Sequence, residues 1–274
     1  MGKYNVKNLR LNVADFQHPS DKAAIDAITA ISAFEKVLEF VSKNSIEKSS
    51  RLINASSKMK ITRNMSPLIF SMLDEAVEMF GCEKMPEVYI QRNYNFVINL
   101  DGIEYPYITF PNAWLETVSE DMLWSITAGE VAAIQAKHAE MEMVDTVLKF
   151  FKGVLPPGVE EALEFAMNNW FRCRIYTVDR AILVASGSFK LAAKHILYGD
   201  VPDSVLEEME LDKPGNPYYQ QAVEFIKQRG VQGVVKTAMT AFTRSQWMAS
   251  RYIELYNWYF GGEYHDLIER GVDL

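Results

Sequence analysis

The spacing of the apolar residues changes twice along the chain, and this constrains the possible folds more than any other sequence feature. Before residue 85 and after residue 111, apolar side chains recur every three or four residues, as in amphipathic helices. Three short β-type runs lie between, at Glu87–Gln91, Asn95–Leu100 and Tyr105–Phe110, and Asp101-Gly102 predicts a hairpin between the last two. The pattern predicts a predominantly helical α+β fold with one small antiparallel sheet before a long central helix.

Several helix boundaries can be predicted from capping residues and helix breakers. His18-Pro19-Ser20-Asp21 predicts a turn and then a helix capped by the serine or the aspartate. A helix over 67–80 has proline in its first turn and glycine after its end, and the central helix is predicted from Glu120 to about Val144. Later helices are predicted over 159–187, 189–198, 217–229 and 233–260. We expect residues 1–85 to form a helical region packed on a main domain, residues 86–274, as one structural unit.

The overall charge makes some classes of partner unfavourable. The chain has 36 acidic and 28 basic side chains, a net charge of −8, which argues against nucleic acid and against anionic membrane surfaces unless charge is locally clustered. No apolar run approaches the length of about 20 residues that spans a bilayer, and the first residues do not resemble a signal peptide. Two cysteines are too few for a disulfide framework. We therefore expect a reduced, cytoplasmic protein without a membrane span.

Simple sequence motifs identify no catalytic site. The four histidines include no pair spaced by four residues, so no helix offers two imidazoles on one face for zinc. His138 and Glu142 are spaced by four, which we interpret as a solvated helix pair, with a metal site as the alternative. Cys173 lies between Arg172 and Arg174, which could lower the pKa of its thiol, but a buried packing role is favoured. Nucleotide-binding and serine-hydrolase motifs are absent.

Weak motifs in a characteristic order give a more specific indication. They are His18-Pro19-x-Asp21, the strand entry Pro86–Tyr89, Ser119–Leu123 before the central helix, the segment Leu123–Ala133, and the later segment Arg172–Ala181. From about residue 15 to about residue 260 the chain resembles the HtpX-like zinc metallopeptidases, which are gluzincins. In that family the central helix carries H-E-x-x-H, and a later helix carries the third zinc ligand in R-x-x-E-x-x-A-D-R-A. The resemblance implies a gluzincin-like peptidase domain.

The residues that differ from the family pattern are those that would bind zinc. On the resemblance, the two ligand histidines fall on Gly129 and Ala133 and the ligand glutamate on Ile175, and none of these side chains can coordinate zinc. The general base falls on Glu130, which is present. An assisting histidine falls on Gln246. Three other residues match the family. Asp179 falls on the aspartate in the layer around the zinc ligands. Arg172 and Arg180 are the arginines that we expect to pair with Glu130.

The sequence therefore predicts an inactive metallopeptidase homologue. Because the three ligand positions offer no donor, we expect no metal cofactor bound as in the family. A lone glutamate supplies only a modest part of the catalysis of a zinc peptidase. We expect a protein or peptide partner, which could be an active paralogous peptidase with an intact H-E-x-x-H. The alternative is an active hydrolase that uses another metal set, such as His138 and Glu142, or metal-free chemistry at Glu130.

Overall fold

A computed structural model describes residues 9–92, 98–150, 153, 155–156, 158–198, 200–231 and 247–272. The strands are β1 (Met59–Ile61), β2 (Glu87–Gln91), β3 (Asn99–Asp101) and β4 (Tyr107–Pro111). The helices are α1 (Val13–Phe16), α2 (Pro19–Thr29), α3 (Phe34–Lys43), α4 (Ile46–Ser57), α5 (Pro67–Met79), α6 (Asn112–Thr117), α7 (Glu120–Gln135), α8 (His138–Phe150), α9 (Val159–Ser186), α10 (Phe189–Leu197), α11 (Asp203–Glu208), α12 (Pro217–Val231), α13 (Met248–Phe260) and α14 (Glu263–Val272). The predicted α+β class, mostly helical with one small sheet, is confirmed.

The sheet is mixed, so the prediction of a purely antiparallel sheet is wrong. Its strand order is β1-β2-β4-β3, and β4 lies parallel to β2 but antiparallel to β3. β1 is antiparallel to β2 and was not predicted, because three residues are too few to show a period. Strand order depends on contacts between distant residues, which the alternation of side chains within one strand does not encode.

The connection between β3 and β4 covers residues 102–106, whereas the predicted strands leave residues 101–104 between them. β3 ends at Asp101 and β4 begins at Tyr107, two residues later than predicted. Gly102 has a φ of 99°, and an added Cβ would lie 2.5 Å from the carbonyl oxygen of Tyr105. The Glu47 carboxylate accepts hydrogen bonds from the backbone N–H groups of Ile103 and Tyr105, at 2.9 and 2.7 Å, and so holds the turn to α4. Residues 95–97 of the second predicted strand lie outside the described residues.

The predicted central helix over 120–144 is two helices. α7 ends at Gln135 and α8 begins at His138, and between them Lys137 adopts a left-handed conformation with a φ of 65°. This conformation ends the helical hydrogen-bond ladder, and neither proline nor glycine marks the position in the sequence. The start of α8 places the buried His138 beside α2.

Most of the other predicted helices are confirmed. α5, α9, α10 and α12 closely match their predicted ranges, and α13 matches the end of the helix predicted over 233–260, whose residues 233–246 lie outside the described part of the chain. The start of α2 differs in its cap. His18 caps this helix, because its Nδ1 accepts a hydrogen bond from the Ser20 backbone N–H at 3.2 Å, whereas Asp21 is fully buried.

Two apolar cores share the 28-residue helix α9. One core joins the inner face of the sheet to α5, α7 and the C-terminal half of α9. The other joins α2, α3 and α8 to its N-terminal half. Residues on both sides of position 85 contribute to each core, while the division into 1–85 and 86–274 stays a prediction. None of the described helices combines the length and apolarity needed to traverse a bilayer.

Candidate functional site

Helices α7 and α9 run antiparallel and bring together the two segments that match the metallopeptidase motifs. At one end the Trp124 Nε1–H donates a hydrogen bond to the backbone oxygen of Ala185, at 3.1 Å. Further along α7, Gly129 faces Val178 and Ile182 of α9. Residue numbers thus increase along α7 as they decrease along the facing side of α9.

The first predicted ligand position is in tight contact with apolar side chains. A Cβ added to Gly129 would lie 2.8 Å from Cγ1 of Ile182 and 3.3 Å from Cγ1 of Val178. The absence of a side chain therefore allows the two helices to approach closely. Ala133 is buried, and Ile175 is half-buried against the same core. Their convergence on one former metal site stays a prediction.

The donor chemistry of these positions does not fit the zinc ion that the family resemblance implies. Gly129, Ala133 and Ile175 have no side-chain nitrogen, oxygen or sulfur, whereas zinc in proteins is bound by imidazole, thiolate or carboxylate groups. Within the described ranges, His, Cys, Asp and Glu side chains form no group of three that could hold a metal ion. Gln246, the predicted place of the assisting histidine, lies outside those ranges.

Glu130 lies one residue beyond the glycine and is half-buried. Burial raises the pKa of Glu130 to about 7, the nearby Arg174 opposes this shift, and the charge of Glu142 adds to it. Arg174 is thus the cation whose charge acts on Glu130, while the pairing of Glu130 with Arg172 or Arg180 stays a prediction. The antiparallel packing accounts for the effect of Arg174, because it places position 174 close to the end of α7.

Arg174 is held in place by several contacts. Its guanidinium forms a salt bridge with Glu142 and lies 5.2 Å from the ring centroids of Trp170 and Phe171. This arginine therefore compensates the Glu142 carboxylate directly and Glu130 only through space. The arrangement leaves Glu130 able to exchange a proton near neutral pH, the property expected of a general acid or base.

A second carboxyl group with a raised pKa lies near Glu142. Burial raises the pKa of Asp101 to about 6, against hydrogen bonds from the Gly102 N–H and the Tyr107 hydroxyl, and Glu142 adds to the shift. The Tyr107 hydroxyl donates to Asp101 Oδ2 at 3.1 Å. Sequence reasoning missed Asp101 as a site residue, because only the hairpin signal of Asp101-Gly102 was apparent.

Asp179 joins α9 to α13 through Arg251. The Arg251 side chain on α13 donates to both carboxylate oxygens, with Nε 2.9 Å from Oδ2 and Nη2 2.6 Å from Oδ1. His195 Nδ1 lies 3.9 Å from the same carboxylate. Burial, with Arg251 adding to the effect, lowers the pKa of His195 to about 3. No local signal in the sequence indicated Arg251 or His195 as neighbours of Asp179.

His138 and Glu142 do not form a solvated pair, and they do not share a metal site. His138 is 1% exposed, and its Nε2 lies 2.9 Å from Oδ2 of Asp21. The Thr177 hydroxyl donates to the same oxygen at 2.7 Å. Glu142 points instead to Arg174. The two residues therefore belong to separate ion pairs, although they are one helical turn apart.

Arg172, Arg180 and Cys173, the remaining candidate residues, have contacts or burial typical of structural residues. Arg172 donates a hydrogen bond to Asn169 at 3.0 Å, and the Arg180 guanidinium lies 4.7 Å from the ring centroid of Trp258. Burial raises the pKa of the Cys173 thiol and outweighs the opposing effect of Arg172. This disfavours the thiolate form that a reactive cysteine needs.

The raised pKa of Glu130 predicts a pH-dependent effect of the Glu130→Gln substitution. In the wild type, ionisation of this glutamate costs stability as pH rises from 4.5 through about 7, and glutamine removes that cost. The variant should gain on the order of 1–3 kcal/mol in unfolding free energy over the wild type between pH 4 and pH 8. Urea denaturation at both pH values measures this. The control Glu142→Gln should lose stability at pH 8, and a gain that is equal at both pH values would contradict the prediction.

Comparison with known proteins indicates a metallopeptidase-like sequence. The chain is 21% identical over 270 residues to the plastoglobule-localized metallopeptidase 48, chloroplastic, of Arabidopsis thaliana, and the match covers 95% of this chain and 76% of that protein. No family model matches the chain. No solved structure matches it. The distant similarity supports a peptidase-related family.

Proposed function

We propose that this chain is a degenerate metallopeptidase homologue of the HtpX-like type, and that it binds a protein or peptide instead of cleaving one. In this proposal the fold is gluzincin-like, the zinc site has been lost, and the protein acts in the cytoplasm as a regulatory subunit. The metallopeptidase relative supports the ancestry. The inactive role is inferred from the residues at positions 129, 133 and 175.

The contact of Gly129 with α9 is the observation that carries this proposal. Conversion of a ligand histidine to an apolar residue removes one zinc donor. Here α9 also lies close to the backbone of α7, because its Ile182 and Val178 side chains fill the space next to Gly129. A histidine at position 129 would therefore collide with both side chains. The loss thus involves the packing between α7 and α9 as well as the identity of the ligands.

The residues that remain can transfer protons but supply no Lewis acid. Glu130 has a pKa near neutrality, which suits a general base or acid. General acid–base catalysis by one positioned side chain contributes typically about 10²–10⁴-fold, far less than peptide hydrolysis requires. A peptide held beside Glu130 and Arg174 would therefore be bound through hydrogen bonds and charge and released uncleaved.

A direct test measures zinc, cleavage and binding on the same preparation of the full chain. We expect no stoichiometric zinc by elemental analysis, no casein digestion that phenanthroline inhibits, and an anisotropy increase when labelled unfolded casein is added. Glu130→Gln serves as the control for residual proteolysis. Stoichiometric zinc together with digestion that phenanthroline and Glu130→Gln both abolish would overturn the inactive assignment. Absence of both binding and cleavage would overturn the peptide-binding role.

An active paralogue as the partner gives a second test. The chain should co-purify with an intact H-E-x-x-H peptidase expressed beside it and should change the cleavage rate of that enzyme. A peptidase that elutes separately and keeps its rate would exclude it as the partner.

A further inference from the structure

Helix α4 packs on the sheet with its polar side inward, the reverse of an ordinary surface helix. Ser50 Oγ lies 3.1 Å from the Tyr107 hydroxyl, Arg51 forms a salt bridge with Glu87, and Asn54 is only 5% exposed. A helix on a globular protein normally buries its apolar side. On α4, apart from the buried Ile46 at its start, the large apolar side chains point to solvent.

These exposed apolar residues belong to a cluster in the sequence. Of the twelve large apolar side chains that are exposed in the described part of the chain, five lie between residues 52 and 68. Their exposed fractions range from 46% to 72%. They project from α4, from the edge strand β1, from the segment that leads into α5, and from the first turn of α5. The five residues are Leu52, Ile53, Met59, Met65 and Leu68.

The same segment concentrates positive charge in an acidic protein. Residues 46–68 contain five basic side chains and one acidic side chain, whereas the whole chain has a net charge of −8. The folded structure compensates them incompletely, because Arg51 and Lys60 share the single carboxylate of Glu87. Arg63 pairs with Asp74. Three of the basic side chains, those of Lys48, Lys60 and Arg63, are exposed, whereas Arg51 and Lys58 face the sheet at Glu87 and Thr109. We call the exposed side chains of residues 46–68 the basic-apolar surface.

We propose that the basic-apolar surface docks the protein onto an anionic lipid bilayer. Aliphatic side chains flanked by lysine and arginine are the composition that binds membrane interfaces, because the apolar groups enter the acyl boundary while the cations remain at the phosphates. A protein partner is less well matched. Protein interfaces concentrate aromatic anchors in well-packed pockets, whereas here five separate aliphatic side chains project from two helices, a strand edge and the segment between them.

The charge distribution predicts which lipids bind and in which orientation. The net charge of −8 repels an anionic surface, so only an orientation with the basic-apolar surface towards the lipid is favourable. Binding should require anionic lipid and weaken as salt screens the attraction. The proposed association is peripheral and reversible, because only exposed side chains of the basic-apolar surface enter the lipid.

Vesicle flotation tests the proposal with matched variants. The full chain should float with phosphatidylcholine vesicles that contain phosphatidylglycerol, should not float with phosphatidylcholine alone, and should be released by high salt. The double substitution Leu52→Ser/Ile53→Ser should weaken binding by about tenfold or more. The control Phe165→Ser removes a 57% exposed apolar side chain from α9 and should leave binding unchanged.

Other outcomes would overturn the proposal. No flotation with either vesicle, or equal loss in the Phe165→Ser control, would show that the basic-apolar surface does not recognise anionic lipid. Light scattering adds a second readout. If the wild type is a dimer and Leu52→Ser/Ile53→Ser is a monomer, the surface is an interface between two copies. Circular dichroism checks the fold of both variants, whose substituted side chains are exposed and lie outside the two apolar cores.

Discussion

Replacement of Asp21 by alanine is expected to lower the free energy of unfolding by about 3–5 kcal/mol, the cost of breaking a buried ion pair. Asp21 is fully buried, and its Oδ2 lies 2.9 Å from His138 Nε2 and 2.7 Å from the Thr177 hydroxyl. The substitution leaves the imidazole without a partner in an apolar core, where Trp170 packs edge-on against it. Urea denaturation of the variant beside the wild type measures the loss.

Two controls separate the ion pair from general effects of substitution. Asp21→Asn keeps the shape and the hydrogen-bond acceptor, so it should cost less than Asp21→Ala. Asp26→Ala removes an exposed i, i+4 partner of Lys22 on the same helix and should change stability little. Similar losses for Asp21→Ala and Asp26→Ala would contradict the prediction.

The same ion pair predicts how the difference depends on pH. Burial alone would raise the pKa of Asp21, but the His138 charge and hydrogen bonds from His138, Thr177 and Gln17 hold it below the usual 3.8. The contribution of Asp21 is therefore fully present above about pH 4 and is lost as pH falls below that value. The stability difference between the wild type and Asp21→Ala should therefore shrink as pH falls from 5 into stronger acid.

The second large effect is expected for Arg251→Ala, again about 3–5 kcal/mol of unfolding free energy. This arginine donates two hydrogen bonds to Asp179, which is 2% exposed and ties α9 to α13. Its removal leaves a buried carboxylate without a bidentate partner. Arg251→Lys keeps the charge but lacks the planar pair of donors, so it should recover part of the loss.

A histidine titration gives Arg251→Ala a readout that general destabilisation would not change. Burial first, and Arg251 second, keep the pKa of His195 at about 3. With Arg251 absent, Asp179 becomes an uncompensated anion 3.9 Å from His195 Nδ1 and should raise the pKa of His195. Nuclear magnetic resonance of the imidazole measures the shift. An unchanged pKa of His195 in a folded variant would contradict this arrangement.

Much of the local structure could be predicted because its signals are local. α5 begins at Pro67 and is followed by Gly81, with a φ of 60°, and both residues act on their immediate backbone. The break at Lys137 could not be predicted in this way. A lysine does not itself favour a left-handed conformation, so contacts elsewhere in the fold must hold it there.

The candidate site likewise combines features that follow from the sequence with features that depend on packing. The sequence alone determines that Gly129, Ala133 and Ile175 offer no donor for zinc, because this follows from side-chain chemistry in any geometry. It also supplies Glu130 as a carboxylate. The pKa of Glu130 depends on burial and on Arg174, which the sequence could not place, since both effects arise from packing between helices.

Only the tertiary structure decided which charged residues meet. Asp21 and His138 are 117 residues apart, and Asp179 and Arg251 are 72 residues apart. Helical periodicity relates residues three or four positions apart, so it grouped His138 with Glu142 and left both of these pairs undetected. Burial makes the distant pairs necessary, because a carboxylate removed from water requires a partner wherever the chain supplies one. The sequence therefore determined the chemistry available at each position, and the packing of α2, α8, α9 and α13 determined which groups are paired.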